Sequence, residues 1–299
     1  MKISKAVFPV AGLGTRFFPA TKVIAKEMLP VVDKPIIQYA TEEAINAGIT
    51  ELIFVISKTK NSIQDHYNRL TELEQELESR NKLDLLKTLT GILPPGISCA
   101  FVDQPRALGL GHAVLCARPL VGDDPFAVIL PDDMIDDNAS GCLSQMVDVY
   151  RDHPHSIIAI EEVNRAETDK YGIVSTTPMS GPLHRIRAIV EKPKPEIAPS
   201  NLAVVGRYIL TGAIFDYLET LGSGAGGEIQ LTDGIAALLG KEPVLAYEFK
   251  GTRYDCGSKI GYLKATVNYG LKHPEVNQEF SAFLDSEIST RQQRGRPQG

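Results

Sequence analysis

The stretch "KAVFPVAGLGTRFFPATKVIAKEMLP", residues 5–30, decides how this chain is to be read. Its first part is apolar through Ala11 and breaks at Gly12 and Gly14, the pattern of a buried strand leaving its sheet by a tight turn. Glycines let the backbone approach an anion closely, and successive N–H groups form a phosphate cradle. Arg16 and Lys26 follow to supply positive charge. A plain strand-to-loop turn with solvated lysines fits the same letters. Two standard phosphate motifs are absent: there is no GxxxxGK[ST], and Phe17 stands where a dinucleotide GxGxxG needs its third glycine.

Outward from this stretch, short apolar runs recur at "TELIFVIS" (50–57), "GISCAFVDQP" (96–105), "PFAVILPDD" (125–133) and "HSIIAIEEV" (155–163). Between them, helical spacing marks 34–48, the charged segment 60–89, 109–121 and 142–153. This rhythm predicts an α/β fold with a mixed, mostly parallel central sheet flanked by helices. From about residue 172 the pattern loosens into short strands, and 226–239 and 261–273 read as helices. The tail 289–299 has almost nothing apolar and is expected to be disordered.

The totals narrow the function. A net charge of −6, from 31 basic and 37 acidic residues, disfavours a general polyanion binder, so nucleic acid is not an expected partner. Four scattered cysteines show no zinc-like spacing and read as reduced thiols in a cytoplasmic protein. No stretch reaches the roughly 18 apolar residues of a membrane span, so no membrane partner is expected.

In open α/β sheets ligands bind beyond the carboxyl ends of the strands, which is where polar candidates cluster here. Asp132 and Asp133 end a strand and suit a hard divalent cation, or simply a turn. Glu191 and Lys192 leave a strand before a proline, able to take sugar hydroxyls and a phosphate, or merely to form a charged exit. Asp255 is a second metal ligand or a helix cap. Gln104 offers both donor and acceptor to a base edge. His112 has no partner at metal spacing and reads as structural. No GxSxG, HExxH or Cys–His pair points to a covalent nucleophile.

In order, "GLGTRFFPATKVIAKEMLPVVDKPIIQY", "QPRALGLGHAV", "ILPDD", "YGIV", "EKPKPEIAPSNLAVVGRYIL", "GGEIQLTD" and "YDCGSKIGY" resemble the bacterial UTP–glucose-1-phosphate uridylyltransferases, of the sugar-nucleotide pyrophosphorylase group. The likeness runs from about residue 3 to 285. It implies one Rossmann-like nucleotidyltransferase domain over 1–285, with a helical part from about 258 used in a homotetramer or homodimer. It implies that Ala11 and Gly12 meet the base through backbone groups, that Gln104 and Gly109 read its edge, and that Gly14, Thr15, Arg16 and Lys26 handle the triphosphate. Asp132 and Asp255 would hold Mg²⁺, Gly172 and Glu191 the glucose hydroxyls, and Lys192 the sugar phosphate. Many relatives carry proline where this chain has Ala25.

The expected reaction is attack of glucose 1-phosphate on the α-phosphorus of UTP, giving UDP-glucose and pyrophosphate. A phosphate monoester, with its second pKa of about 6, is already ionised near neutrality and needs no general base. Such a site works by positioning and charge neutralisation, which fits the missing nucleophile. A thymidylyltransferase is the nearest alternative. A nucleotide-sugar glycosyltransferase, a non-catalytic sensor or a dehydrogenase would leave the basic opening segment, the paired aspartates or the absent third glycine unexplained.

Overall fold

The central strands of the first half are buried on both faces because nearly every residue in them is apolar. Along β1 (Lys5–Pro9), Ala6 and Phe8 join one core while Val7 joins the core on the opposite side, the period-two division of a strand. The computed structural model describes residues 2–57, 60–137, 141–222 and 227–294.

After β1 come a small ribbon, β2 (Pro30–Val31) and β3 (Lys34–Pro35), and the helix Ile36–Asn46. β4 (Glu51–Ile56) is followed by three helices, Asn61–Tyr67, Thr71–Ser79 and Leu83–Thr90, where one or two were expected. β5 (Ser98–Asp103) precedes a helical stretch that breaks at Ala117 into Leu110–Cys116 and Arg118–Val121. Pro119 explains the break, since it lacks the N–H that a continuous helix would use there. β6 (Phe126–Ile129), β7 (Asp133–Asp136), the helix Cys142–Asp152 and β8 (Ser156–Glu162) follow. Then come β9 (Gly172–Pro178), β10 (Leu183–Glu191), β11 (Leu202–Leu210), the helices Ile214–Thr220 and Leu231–Leu238, β12 (Val244–Glu248) and β13 (Thr252–Asp255).

Nine strands form one sheet in the order β5-β4-β1-β6-β11-β8-β12-β10-β9. β5, β4, β1 and β6 run parallel, as does the pair β8–β12. The other neighbours are antiparallel, so the expectation of a mostly parallel sheet holds only for the first half. The reason lies in the connections. β9 and β10 are joined by a link too short for the helical crossover that parallel neighbours require.

The carboxyl ends of the parallel strands therefore share one edge. β1 delivers residues 10–16 to it, β4 delivers Lys60, β5 delivers Gln104 and β6 delivers Asp132. On the same side β13 pairs with β7, setting Asp255 opposite Asp133. The helix Lys259–Lys272 starts at Ser258, whose hydroxyl accepts the Gly261 N–H at 3.1 Å. It docks on the β2–β3 ribbon, with Tyr262 Oη donating to the Pro30 carbonyl at 2.6 Å. The last helix runs Asn277–Arg294, six residues into the tail expected to be disordered; residues 295–299 of that tail lie outside the described residues. Among the described residues no helix is long and apolar enough to cross a membrane.

Candidate active site

The opening turn is folded as its glycines suggested. Gly14 has φ +65°, a left-handed conformation, and a Cβ there would lie 3.1 Å from Lys26 Cβ. The loop thus doubles back so that Lys26 packs against its own start. Thr21 Oγ1 fastens the turn by donating to the Gly14 carbonyl at 2.7 Å. Ala11 is buried, while Gly12 and Thr15 are exposed. Arg16, in the single turn Thr15–Phe17, reaches across to the Gly257 carbonyl at 3.4 Å.

Two carboxylates converge beside that contact. A Cβ built on Gly257 would sit 2.9 Å from Asp255 Oδ1 and 3.0 Å from Asp132 Oδ2, with Arg16 Nη1 at 3.5 Å. The absent side chain lets both carboxylates close in there, with Asp255 Oδ1 also accepting the Gly257 N–H at 2.9 Å. This donor set suits a hard cation of the Mg²⁺ type, which takes one or two carboxylates and completes its shell with phosphate oxygens and water. No group of three His, Cys, Asp or Glu forms a fuller metal site among the described residues.

Lys26 Nζ donates to Asp132 Oδ2 at 2.5 Å and lies 3.9 Å from Glu27 Oε1. Burial works against the lysine charge, but Asp132 and Glu27 outweigh it and raise the ammonium pKa. Burial likewise favours neutral Asp132, yet Lys26 holds its carboxyl below the usual aspartate range. Asp255 goes the other way, pushed up by burial and by the charge of Asp133.

Asp133, adjacent in sequence, is committed elsewhere. Its Oδ1 accepts from Arg253 Nε at 2.8 Å and its Oδ2 from the Gly206 N–H at 2.8 Å. Of the two aspartates ending the "ILPDD" run, Asp133 is therefore a fastening of the sheet. Arg253 also pairs with Glu161 at 2.6 Å and lies 5.1 Å from the centre of the Tyr171 ring.

Beyond β9 and β10 the sugar-type candidates sit together. Gly172 is in register with Glu191 across the hairpin. Glu191 Oε2 accepts from Thr232 Oγ1 at 2.9 Å, and its Oε1 is 3.0 Å from Lys192 Nζ. Lys192 has φ +46°, unusual for a residue with a side chain, and its N–H donates to the Tyr171 carbonyl at 2.9 Å. Arg16, Asp132, Gly172, Glu191, Lys192 and Asp255 all line one cleft of about 1040 Å³.

Gln104 does not line that cleft. Its Nε2 turns inward, 3.1 Å from the Gly109 carbonyl and 3.0 Å from His112 Nδ1. The donor half of the expected base contact is thus occupied. His112, set aside as structural, is what orients Gln104; burial lowers its pKa, leaving the imidazole neutral to accept. Ala11, Gly12, Gly14, Thr15 and Lys26 also lie outside the cleft lining and join it through Arg16 and Asp132. Thr232, Tyr171 and Arg253 were not singled out from the sequence. Only the fold shows that the Thr232 and Arg253 side chains hold Glu191 and Asp133, and that the Tyr171 main-chain carbonyl accepts the Lys192 N–H.

Gly109 has φ +98°, and a Cβ there would lie 2.8 Å from both Glu228 Cβ and the Ile229 carbonyl. Gly109→Ala is expected to displace the 104–112 loop from 228–230 and to destabilise the fold by on the order of 1–3 kcal/mol. A thermal melt would read this, with an unchanged Tm counting against the strain.

The nucleotidyl transferase family model matches residues 5–271. The UTP–glucose-1-phosphate uridylyltransferase of Escherichia coli (strain K12) is 48% identical over 301 residues, covering 96% of this chain and 97% of the relative. A solved structure described as UTP-bound UGPase from Acinetobacter baumannii superposes with a TM-score of 0.87 at 47% identity, covering 94% of this chain and 98% of that one. A UDP-glucose pyrophosphorylase complexed with UDP-glucose superposes with a TM-score of 0.83 at 43% identity, covering 91% and 100%.

Proposed function

The chain belongs to the nucleotidyl transferase family, among its UTP–glucose-1-phosphate uridylyltransferases, and we propose that its cleft carries out the family reaction by charge neutralisation alone. UMP passes from UTP to glucose 1-phosphate, yielding UDP-glucose and pyrophosphate. The observation that carries this reading is the meeting of three charged sets at one sheet edge: Arg16 and Lys26, Asp132 and Asp255, and Glu191 and Lys192.

The parallel run β5-β4-β1-β6, with a glycine turn after β1, is read as the Rossmann-like half that seats the nucleotide. Ala11 and Gly12 present backbone groups to the base, and Gly109 shapes the loop beside it. Gly14, Thr15, Arg16 and Lys26 hold the triphosphate, with Arg16 placed to meet the departing pyrophosphate. Gly172 leaves room for the sugar, Glu191 accepts its hydroxyl hydrogens, and Lys192 holds the attacking phosphate. Asp132 and Asp255 would hold Mg²⁺, which when bound supplies charge that offsets the repulsion between two polyanions. No residue need take a proton, because the attacking phosphate is ionised already.

The four free cysteines agree with the reducing cytoplasm as its compartment. The homotetramer or homodimer is assigned to the C-terminal helices, where Ile260, Leu263 and Phe283 are exposed.

Pyrophosphate release from purified protein with glucose 1-phosphate tests the reading, comparing UTP with dTTP and Mg²⁺ with a chelator. Release favouring UTP and lost on chelation is the expected result. UDP-glucose binding without release from either nucleotide would replace the enzyme with a sensor, and dTTP preference would replace the nucleotide.

A further inference from the structure

Lys60 and Glu27 form an ion pair in the interior: Lys60 Nζ donates to Glu27 Oε2 at 2.7 Å, with Lys60 7% and Glu27 1% exposed. A buried pair of this kind gains little stability over apolar residues of the same size. Its surroundings suggest another use. Lys60 precedes the helix Asn61–Tyr67, which Ile63 and Tyr67 anchor in the core; Tyr67 Oη lies 2.9 Å from Thr41 Oγ1. That helix thereby fixes where the ammonium ends.

The second oxygen of Glu27, Oε1, faces Lys26 at 3.9 Å, and Lys26 in turn is 2.5 Å from Asp132. Charges alternate along the row Lys60, Glu27, Lys26, Asp132. Two carboxylates therefore compete for the one ammonium of Lys26. The nearer in sequence, Glu27, is held off because Lys60 already satisfies it. We propose that Lys60 is a positioning residue: by occupying Glu27 it keeps Lys26 turned toward Asp132 and the nucleotide phosphates. This rests on the reading of Lys26 as a phosphate-binding residue. It also gives the first helix after β4 a task in the site.

Lys60→Met removes the charge at similar length. Glu27 then has Lys26 as its nearest cation and draws it back from the cleft. Turnover in the pyrophosphate assay is expected to fall about tenfold, less than the roughly 10²–10³-fold cost of losing a preorganised donor outright because Lys26 is displaced and not removed, while KM for glucose 1-phosphate stays within about twofold. Glu27→Gln combined with Lys60→Met removes the competitor as well and should return kcat most of the way to wild type.

A double-mutant cycle with Lys26→Gln separates this from a structural role. If Lys60 acts through Lys26, Lys60→Met changes little once Lys26 is gone. Additive losses in that background, or a wild-type kcat in Lys60→Met despite a lowered Tm, would overturn the proposal. Full activity in Lys26→Gln alone would instead overturn the reading of the site and the proposal with it. Should Lys60→Met fail to fold, Lys60→Gln keeps a donor against Glu27 without the charge, and the same cycle applies to it.

Discussion

Asp132→Ala is expected to lower pyrophosphate release by on the order of 10³-fold, at the upper end of the cost of losing one preorganised charge. Two effects combine in it. One of the two carboxylates that meet beside Gly257 disappears, leaving Asp255 alone there. Lys26 also loses the partner that fixes its ammonium at 2.5 Å. The fold should be little disturbed. The Asp132 side chain is 25% exposed, and the main-chain carbonyl that accepts the Cys256 N–H at 2.7 Å is retained in the variant. The KM for glucose 1-phosphate should hold, since Glu191 and Lys192 belong to another part of the cleft. Steady-state kinetics with a parallel thermal melt would check this. A variant that keeps more than about a tenth of wild-type turnover would remove Asp132 from the reaction.

Arg207→Met is expected to produce the largest loss of stability. Arg207 stands on β11 at the middle of the sheet and is 1% exposed. Its Nη2 and Nε donate to Glu43 Oε2 at 2.7 and 3.1 Å, and its Nη1 donates to the Leu130 carbonyl at 3.1 Å. Glu43 Oε1 also takes the Leu143 N–H at 2.9 Å. Removing the guanidinium leaves the nearly buried Glu43 carboxylate without its cation, which costs about 3–5 kcal/mol. For a chain of this size that lowers Tm by roughly 10 °C. Pairing the change with Glu43→Gln should recover part of the loss, because the stranded charge is then gone. Unfolding followed by circular dichroism is the measurement, and a Tm within about 2 °C of wild type would refute the assignment.

How much of this was legible before the fold was seen depended on how local the information was. The turn after β1 was readable because apolar run, glycines and basic residues lie within a few positions. The split of the 109–121 helix was readable in principle from Pro119. The antiparallel entry of β11 between β6 and β8 was not, since its partners are chosen by pairing across the sheet. Asp132 and Asp133 show the limit most plainly. As letters they are equivalent, and only the fold shows Asp133 taken by Arg253 and the Gly206 N–H while Asp132 meets Lys26. Gln104 suited a base edge by its chemistry, but the neighbouring His112 and the Gly109 carbonyl claim its amide. Glu191 and Lys192 line the same cleft as Asp132 and Asp255, while Thr232, which donates to Glu191, belongs to a motif 41 residues later.

The β7–β13 ribbon has a consequence for synthesis. Arg16 meets the carbonyl of Gly257 across 241 positions of chain, and Asp255 takes its place only when its strand has paired with the one beginning at Asp133. A chain emerging from the ribosome can complete the β5-β4-β1-β6 core early, since those strands lie in its first half. The paired carboxylates cannot assemble until the last quarter has been translated and has docked. A chain ending before Thr252 would keep Arg16, Lys26 and Asp132 but lack Asp255, so the acidic pair of the cleft is complete only in chains translated nearly to their end.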